Sequence, residues 1–319
     1  MSILVTGGAG VIGSNVVREL LQSGQEVVVF DAREDRSLLG NLDVAIEVGD
    51  ICDLSLLEDI LRRRKVEKIA HLAAVMPDWA KENPYQASRI NTWGLVSVLE
   101  AAKNTGVPRV VFTSSKAAIG SVDSKFTHPN YLPVGEDIAT HPNDVYGATK
   151  LASEILATRL AKEFGIELVI LRLASTYGPG KTVRHGKVGI LSKIIEGAFR
   201  GESIRIDSGA DQKNDFLYCK DIAQAVNKSL EARIDGVGLF HIGSGRISSL
   251  RDFVESVKSH IEGADIEIGD GLDYGGGVGQ YFLMDITKAR DGIGYVPQYD
   301  IDKGIADYVN TLSQSGQMN

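Results

Sequence analysis

Cysteine is nearly absent: the 319 residues contain two, Cys52 and Cys219. Two cannot build the disulfide framework of a small secreted module, and neither has metal-ligand spacing, so no metal site is expected. Both are read as small buried hydrophobes. No apolar run approaches the roughly 20 residues that a membrane span requires. Nothing basic precedes Ser2-Ile3-Leu4-Val5, which runs straight into a glycine cluster; the expectation is no signal peptide and a cytoplasmic location. There is no Lys/Arg block. The balance of 34 Lys+Arg against 42 Asp+Glu, a formal charge of −8, argues against nucleic-acid or anionic-membrane partners. Internal repeats and low-complexity linkers are missing too.

What remains is an ordinary globular composition, 43% hydrophobic and 24% charged, in a chain long enough for one large domain or two coupled ones. Glycine is the outlier, with 35 residues that cluster at particular places. Short β-branched runs (Ile3–Val5, Glu26–Phe30, Val44–Val48, Lys68–Leu72, Arg109–Thr113, Glu167–Leu171) alternate with helical patterns at Ser14–Ser23, Leu54–Arg64, Pro84–Thr105 and Asn143–Phe164. That alternation predicts βαβ units and a parallel sheet covered on both faces, binding ligand at the carboxyl ends of its strands. After Leu173 the pattern loosens. Gly178-Pro179-Gly180 opens a loop with Lys181, Arg184, His185 and Lys187, followed by a helix at Ile190–Arg200. Asp215–Leu230 and Leu239–Ile242 read as a return to the sheet. A helix near Ser249–Ile261, a Gly-rich stretch at Gly269–Gly279 and a last helix near Ile301–Leu312 complete a smaller lobe.

Thr6-Gly7-Gly8-Ala9-Gly10-Val11-Ile12-Gly13 follows the first strand and opens the first helix. Glycines there let backbone reach a pyrophosphate, and the helix N-terminus at Val11 and Ile12 offers free N–H donors. Asp31 ends the second strand 18 positions after Gly13. A carboxylate in that place accepts both ribose hydroxyls and repels a 2′-phosphate, which favours NAD over NADP, although Arg33 stands nearby. Asp50 and Ile51 follow strand three, where Asp50 is aligned with an adenine amine. Leu72, Ala73 and Ala74 follow strand four, where small residues let a cofactor lie against backbone.

Tyr146-Gly-Ala-Thr-Lys150 places two side chains on one helix face. A lysine cation beside a phenol favours the phenolate and lowers its pKa from about 10, which suits a general acid/base. Ser114-Ser115 closes strand five with a hydroxyl able to hold a substrate oxygen.

Taken together, these segments resemble the extended short-chain dehydrogenase/reductases of the NAD-dependent epimerase/dehydratase type. The likeness spans nearly the whole chain: TGGAGVIGS at 6–14, GDICD at 49–53, HLAA at 71–74, RINTWG around Asn91, TSSKAAIG at 113–120, YGATK at 146–150, LRLASTYGPG at 171–180, NDFLYCKDIA at 214–223 and MDITKAR at 284–290. It implies a Rossmann-type doubly wound parallel sheet (1–172, with 210–245 returning to it) and a smaller C-terminal α/β substrate lobe (173–209 and 246–319). It also implies a Ser115–Tyr146–Lys150 triad, NAD contacts that include Asn91, Thr113, Tyr146 and Lys150, and a homodimer through two long helices per subunit. The helices at 84–105 and 143–164 are the candidates, and serve equally well as plain sheet-packing helices.

The departures from the family pattern are informative. Lys116 and Ala117 stand where 4,6-dehydratases carry an Asp-Glu pair, so dehydration is not expected. Ser175 replaces an Asn, Asn214 replaces an Arg, and Gly279-Gln280-Tyr281 lacks a further Arg; in the family those groups hold a substrate diphosphate. Uncharged side chains cannot replace a bidentate Arg on phosphate, although Lys213 is adjacent. The expectation is therefore a small-molecule sugar, sugar acid or hydroxy acid, contacted by Met76, Ser115, Lys116, Ser175, Arg184 and Asn214. Trp79 is a further pocket, lid or dimer candidate. Three functions follow: an NAD-dependent dehydrogenase, a nucleoside-diphosphate-sugar 4-epimerase with bound NAD, and, more remotely, a non-catalytic NAD sensor.

Overall fold

The apolar runs become strands because their branched side chains are buried on both sides of a sheet. A computed structural model describes residues 2–180, 189–275 and 277–316. Its central sheet contains β1 (Ser2–Thr6), β2 (Glu26–Asp31), β3 (Ala45–Val48), β4 (Val66–His71), β5 (Arg109–Ser115), β6 (Glu167–Leu173) and a later strand, Val237–Ile242. They run parallel in the order β3-β2-β1-β4-β5-β6, with Val237–Ile242 outermost beside β6. Strand order reverses between β1 and β4, which leaves a crevice at their carboxyl ends.

Alternation along each strand divides the core. Ile3, Val5, Val27 and Val29 enter one cluster, and Leu4, Val28 and Phe30 the other. The first face is covered by α1 (Val11–Gln22), through Val16, Val17 and Leu20, and by helix Cys219–Glu231, through Ile222, Val226 and Leu230. The opposite face is covered by α2 (Leu54–Arg63) and, after two short helices α3 (Pro77–Glu82) and α4 (Pro84–Ser88), by α5 (Gly94–Thr105) and α6 (Val145–Phe164). Each fully buried Leu, Ile or Val contributes about 1.5–3 kcal/mol.

The helix expected over 84–105 is not continuous. Five residues, Arg89–Trp93, form a π-helical turn ahead of α5. It holds Asn91 inward, where the backbone carbonyl accepts from Ser153 Oγ at 3.0 Å. α6 begins at Val145 because Asp144 caps it, its Oδ1 accepting from Gly147 N–H at 2.6 Å. α1 starts three residues earlier than expected because Gly10 is itself the cap.

Beyond β6 the chain builds a second core from Tyr177, Leu191, Ile194, Ile195, Phe216, Tyr218, Phe253, Ile305 and Tyr308. Short ladders join Ser175–Tyr177 to Phe216–Tyr218 and Ile204–Ile206 to Ile266–Ile268. A capping box at Ser249 and Asp252 starts helix Leu250–His260. Between these segments, helix Cys219–Glu231 packs on α1, and Val237–Ile242 pairs with β6. Cys219 is buried; Cys52 is half-buried, its thiol donating to Arg89 O at 3.3 Å.

Candidate active site

The loop after β1 lies in the crevice. Gly7 has φ +69°, and a Cβ there would stand 2.8 Å from Ala73 N; a Cβ on Gly13 would collide with Gly7 O. These glycines let β1, the loop and the segment after β4 approach one another. Gly10 caps α1 without a side-chain hydrogen bond, and no acidic residue follows in the first turn, Val11 and Ile12 included. The N-terminus of that helix is thus available to an anion. Asp31, half-buried at the end of β2, accepts from Ala9 N–H (3.1 Å) and Ala32 N–H (2.8 Å).

Across the crevice, Leu72 N–H donates to Thr6 O and Ala73 N–H to Thr6 Oγ1, with Ala74 following. His71 Nδ1 lies 2.8 Å from Thr6 Oγ1, and burial, aided by Lys150, lowers the imidazole to about 3. A glycine cradle, a helix N-terminus with no side-chain cap bond and a strand-end carboxylate fit a dinucleotide.

Other expected contacts are already engaged within the protein. Asp50 accepts from Cys52 N–H (2.9 Å) and Arg89 (2.5 Å), which hold its carboxyl below the usual range; Ile51 is buried against Gly94. Both amide protons of Asn91 are in use, donated to Val75 O (3.2 Å) and Thr149 Oγ1 (3.1 Å), while Oδ1 accepts from Val75 N–H (2.8 Å).

The three reactive side chains converge at the end of β5. Ser115 Oγ accepts from Ala117 N–H at 3.1 Å, and the Ser115 hydroxyl is hydrogen-bonded to Tyr146. Lys150 Nζ donates to Thr113 O at 2.9 Å and lies 5.9 Å from the Tyr146 ring centroid. The electrostatics correct the simple reading of the motif. Burial pushes the Tyr146 hydroxyl up to about 12, the bond to Ser115 pulls it down, and Asp144 pushes it up. Lys150 is itself lowered to about 8 by burial, with Glu154 acting the other way. Loss of water is the largest cause for both groups.

Lys116, Ser175 and Asn214 are also brought together. Lys116 Nζ donates to Asn214 Oδ1 (3.1 Å) and Gln280 O (2.9 Å); Asn214 Nδ2 donates to Ser175 Oγ (2.8 Å) and Tyr274 OH (2.9 Å). Met76 caps α3, and Trp79 is 40% exposed on that helix. Arg184, with Lys181, His185 and Lys187, lies outside the described residues.

Two supporting residues were not singled out from sequence. Glu154 accepts from Ser114 Oγ (2.5 Å) and pairs with Arg172 Nη2 (2.7 Å), both partners nearly fully buried. The signals were present: Glu154 stands four residues after Lys150 on one helix face, and Arg172 interrupts the apolar run LVILRL.

A model of the NAD dependent epimerase/dehydratase family matches residues 3–243. The chain belongs to that family and is an NAD-dependent enzyme of the extended short-chain dehydrogenase/reductase class. A putative UDP-glucose 4-epimerase of Methanocaldococcus jannaschii is 30% identical over 318 residues, 99% of each chain. The UDP-glucose 4-epimerase of Thermotoga maritima, solved with UDP-glucose, superposes with a TM-score of 0.86 at 28% identity, covering 99% of each chain. MoeE5, solved with UDP-glucuronic acid and NAD, gives 0.83 at 28% identity, covering 99% of this chain and 100% of its own.

Proposed function

We propose that this enzyme oxidises a secondary alcohol of a sugar or sugar acid, with Ser115, Tyr146 and Lys150 as its catalytic group. The convergence of those three side chains beside the Gly7–Gly13 loop carries the reading. Bound NAD supplies the hydride acceptor. The backbone of Gly7, Gly10, Val11, Ile12 and Gly13 would hold its pyrophosphate, Asp31 would take the ribose hydroxyls, and the segment Leu72–Ala74 would line the cofactor's path. Ser115 orients the substrate hydroxyl and the Tyr146 phenolate accepts its proton. The carbon's hydride leaves with the C–H electron pair, and a C=O bond forms. Lys150 adds positive charge beside the phenolate. Asn91 acts as a strut, tying Val75 to Thr149 one residue before Lys150.

Residues 173–209 and 246–319 form the substrate lobe in this reading, with Lys116 and Ser175 facing the substrate, Asn214 holding both from behind, and Met76 and Arg184 as further candidates. The cofactor domain is 1–172 together with 210–245. The likeness to UDP-glucose 4-epimerases along 99% of the chain favours a second reading, in which hydride returns to the opposite face of the ketone. A homodimer is part of the proposal. Tyr85, Trp93, Ile155 and Leu156 are 78, 61, 63 and 44% exposed on α4, the π turn and α6, apolar surface of the kind a second subunit covers. A cytoplasmic location belongs to it as well, in keeping with the lack of a disulfide among the described residues.

The test is NADH absorbance with excess NAD and two panels, free sugars with sugar acids, and nucleotide sugars. Net NADH from a member of either panel supports the dehydrogenase. A changed stereoisomer without net NADH supports the epimerase. Tyr146→Phe lowers kcat by about 10²–10⁴-fold while NAD still binds; undiminished turnover in that variant removes Tyr146 from the chemistry.

A further inference from the structure

Lys116 is a half-buried cation held by neutral groups. The chain enters it directly from Ser115, whose hydroxyl meets Tyr146, so its stem starts beside the reacting oxygen. Two of its three ammonium protons have acceptors among the described residues, the amide oxygen of Asn214 and the carbonyl of Gln280. The faces of Tyr281 and Phe282 stand 5.9 and 5.2 Å from Nζ. Asp215 acts on it only through space, because its own oxygens accept from Ser244 N–H, Ser244 Oγ and Met284 N–H.

Among the described residues no carboxylate contacts this ammonium, and burial draws Lys116 down to about 8. Asn214 fixes its direction. The amide takes Ser175 and Tyr274 on its nitrogen, and Lys116 and Asp215 N–H on its oxygen, which leaves it committed to the lysine and not to a ligand.

We propose that Lys116 binds the carboxylate of an acidic polyhydroxy substrate, close to the carbon whose hydroxyl Tyr146 deprotonates. The proposal rests on the oxidoreductase reading above and names its substrate class, a uronate or aldonate in place of a neutral sugar. The acid is free or carried on a nucleotide, and the carboxylate chemistry at Lys116 is common to both.

Calorimetry on NAD-loaded Tyr146→Phe protein separates binding from turnover. The probes are matched pairs: D-glucuronate with D-glucose, D-galacturonate with D-galactose, and UDP-glucuronate with UDP-glucose. In at least one pair the acid binds about tenfold or more tightly than the neutral partner, the strength of a hydrogen bond to a charged group. Which pair responds tells the free acid from the nucleotide-linked one. Adding Lys116→Met, which keeps the stem and removes the charge, abolishes that excess; Lys116→Gln serves the same purpose if the Met variant fails to fold. Equal binding within every pair, binding by no probe, or an excess that survives the loss of charge overturns the proposal. A preference retained while wild-type protein transfers no hydride would instead overturn the oxidoreductase reading and leave the Lys116 assignment standing.

Discussion

At the residue scale, the reaction depends on how Tyr146 loses a proton in a place that opposes its charge. Burial raises it to about 12, and the carboxylate of Asp144, two positions earlier, adds to that. Asp144 also caps α6 through Gly147 N–H, so one side chain holds the helix and hinders the base. The two roles separate in Asp144→Asn. The amide oxygen still accepts the cap bond, whereas Asp144→Ala gives up about 1 kcal/mol. Removing the negative charge favours the phenolate, so the rise of the oxidation rate with pH moves to lower pH in the Asn variant, at wild-type stability. A pH profile of kcat that does not move would dissociate Asp144 from Tyr146.

Elements that are periodic within themselves were legible in the sequence. β1, β2, β5 and β6 stand where short apolar runs put them, and the glycine loop and the Tyr146–Lys150 pair were visible because each is local. The π turn at Arg89–Trp93 was not, since no glycine or proline falls within it and the contacts that hold Asn91 inward come from Val75, Thr149 and Ser153 elsewhere along the chain. The same reason hid the contacts of Lys116. It meets Asn214 across 98 positions, and Asn214 meets Tyr274 across 60. The pKa of Tyr146 was misread because spacing reveals a neighbouring charge but not the loss of water around it. The helices also carry the proposed dimer contact. Ile155→Arg, set on the exposed side of α6, turns a sedimenting dimer into a monomer whose helical circular dichroism is unchanged; a wild-type monomer, or a variant that stays dimeric, rules that face out.

For the whole molecule, two buried imidazoles tie stability to acidity. His71 and His241 are fully buried and lowered to about 3 by burial, His71 with help from Lys150 and His241 from Arg172. In the unfolded chain each titrates near 6.5. Between those values the unfolded state binds more protons, so their contribution is complete above about pH 6.5 and declines as pH falls toward 3. Asp221, raised to about 6 by burial, and Asp215, raised by the same cause, act in the opposite sense at acid pH. His241→Gln therefore removes a slope of about 1.4 kcal/mol per pH unit between pH 4 and 6, read from urea denaturation at several pH values. Parallel curves for wild type and variant would show that His241 titrates normally.

The position of Val237–Ile242 at the edge of the sheet has a consequence for synthesis. β6 is apolar and buried along nearly its whole length, yet the strand that covers its edge comes 63 residues later, after positions 174–236. At about 5–20 residues per second, a ribosome leaves that edge uncovered for roughly 3–13 s. A nascent chain halted after residue 173 presents an open, parallel, valine- and leucine-rich edge to any similar strand nearby, the geometry that seeds aggregation. The cofactor-binding half consequently cannot finish folding first and wait for its partner: it closes only once the chain has passed through the other lobe and come back.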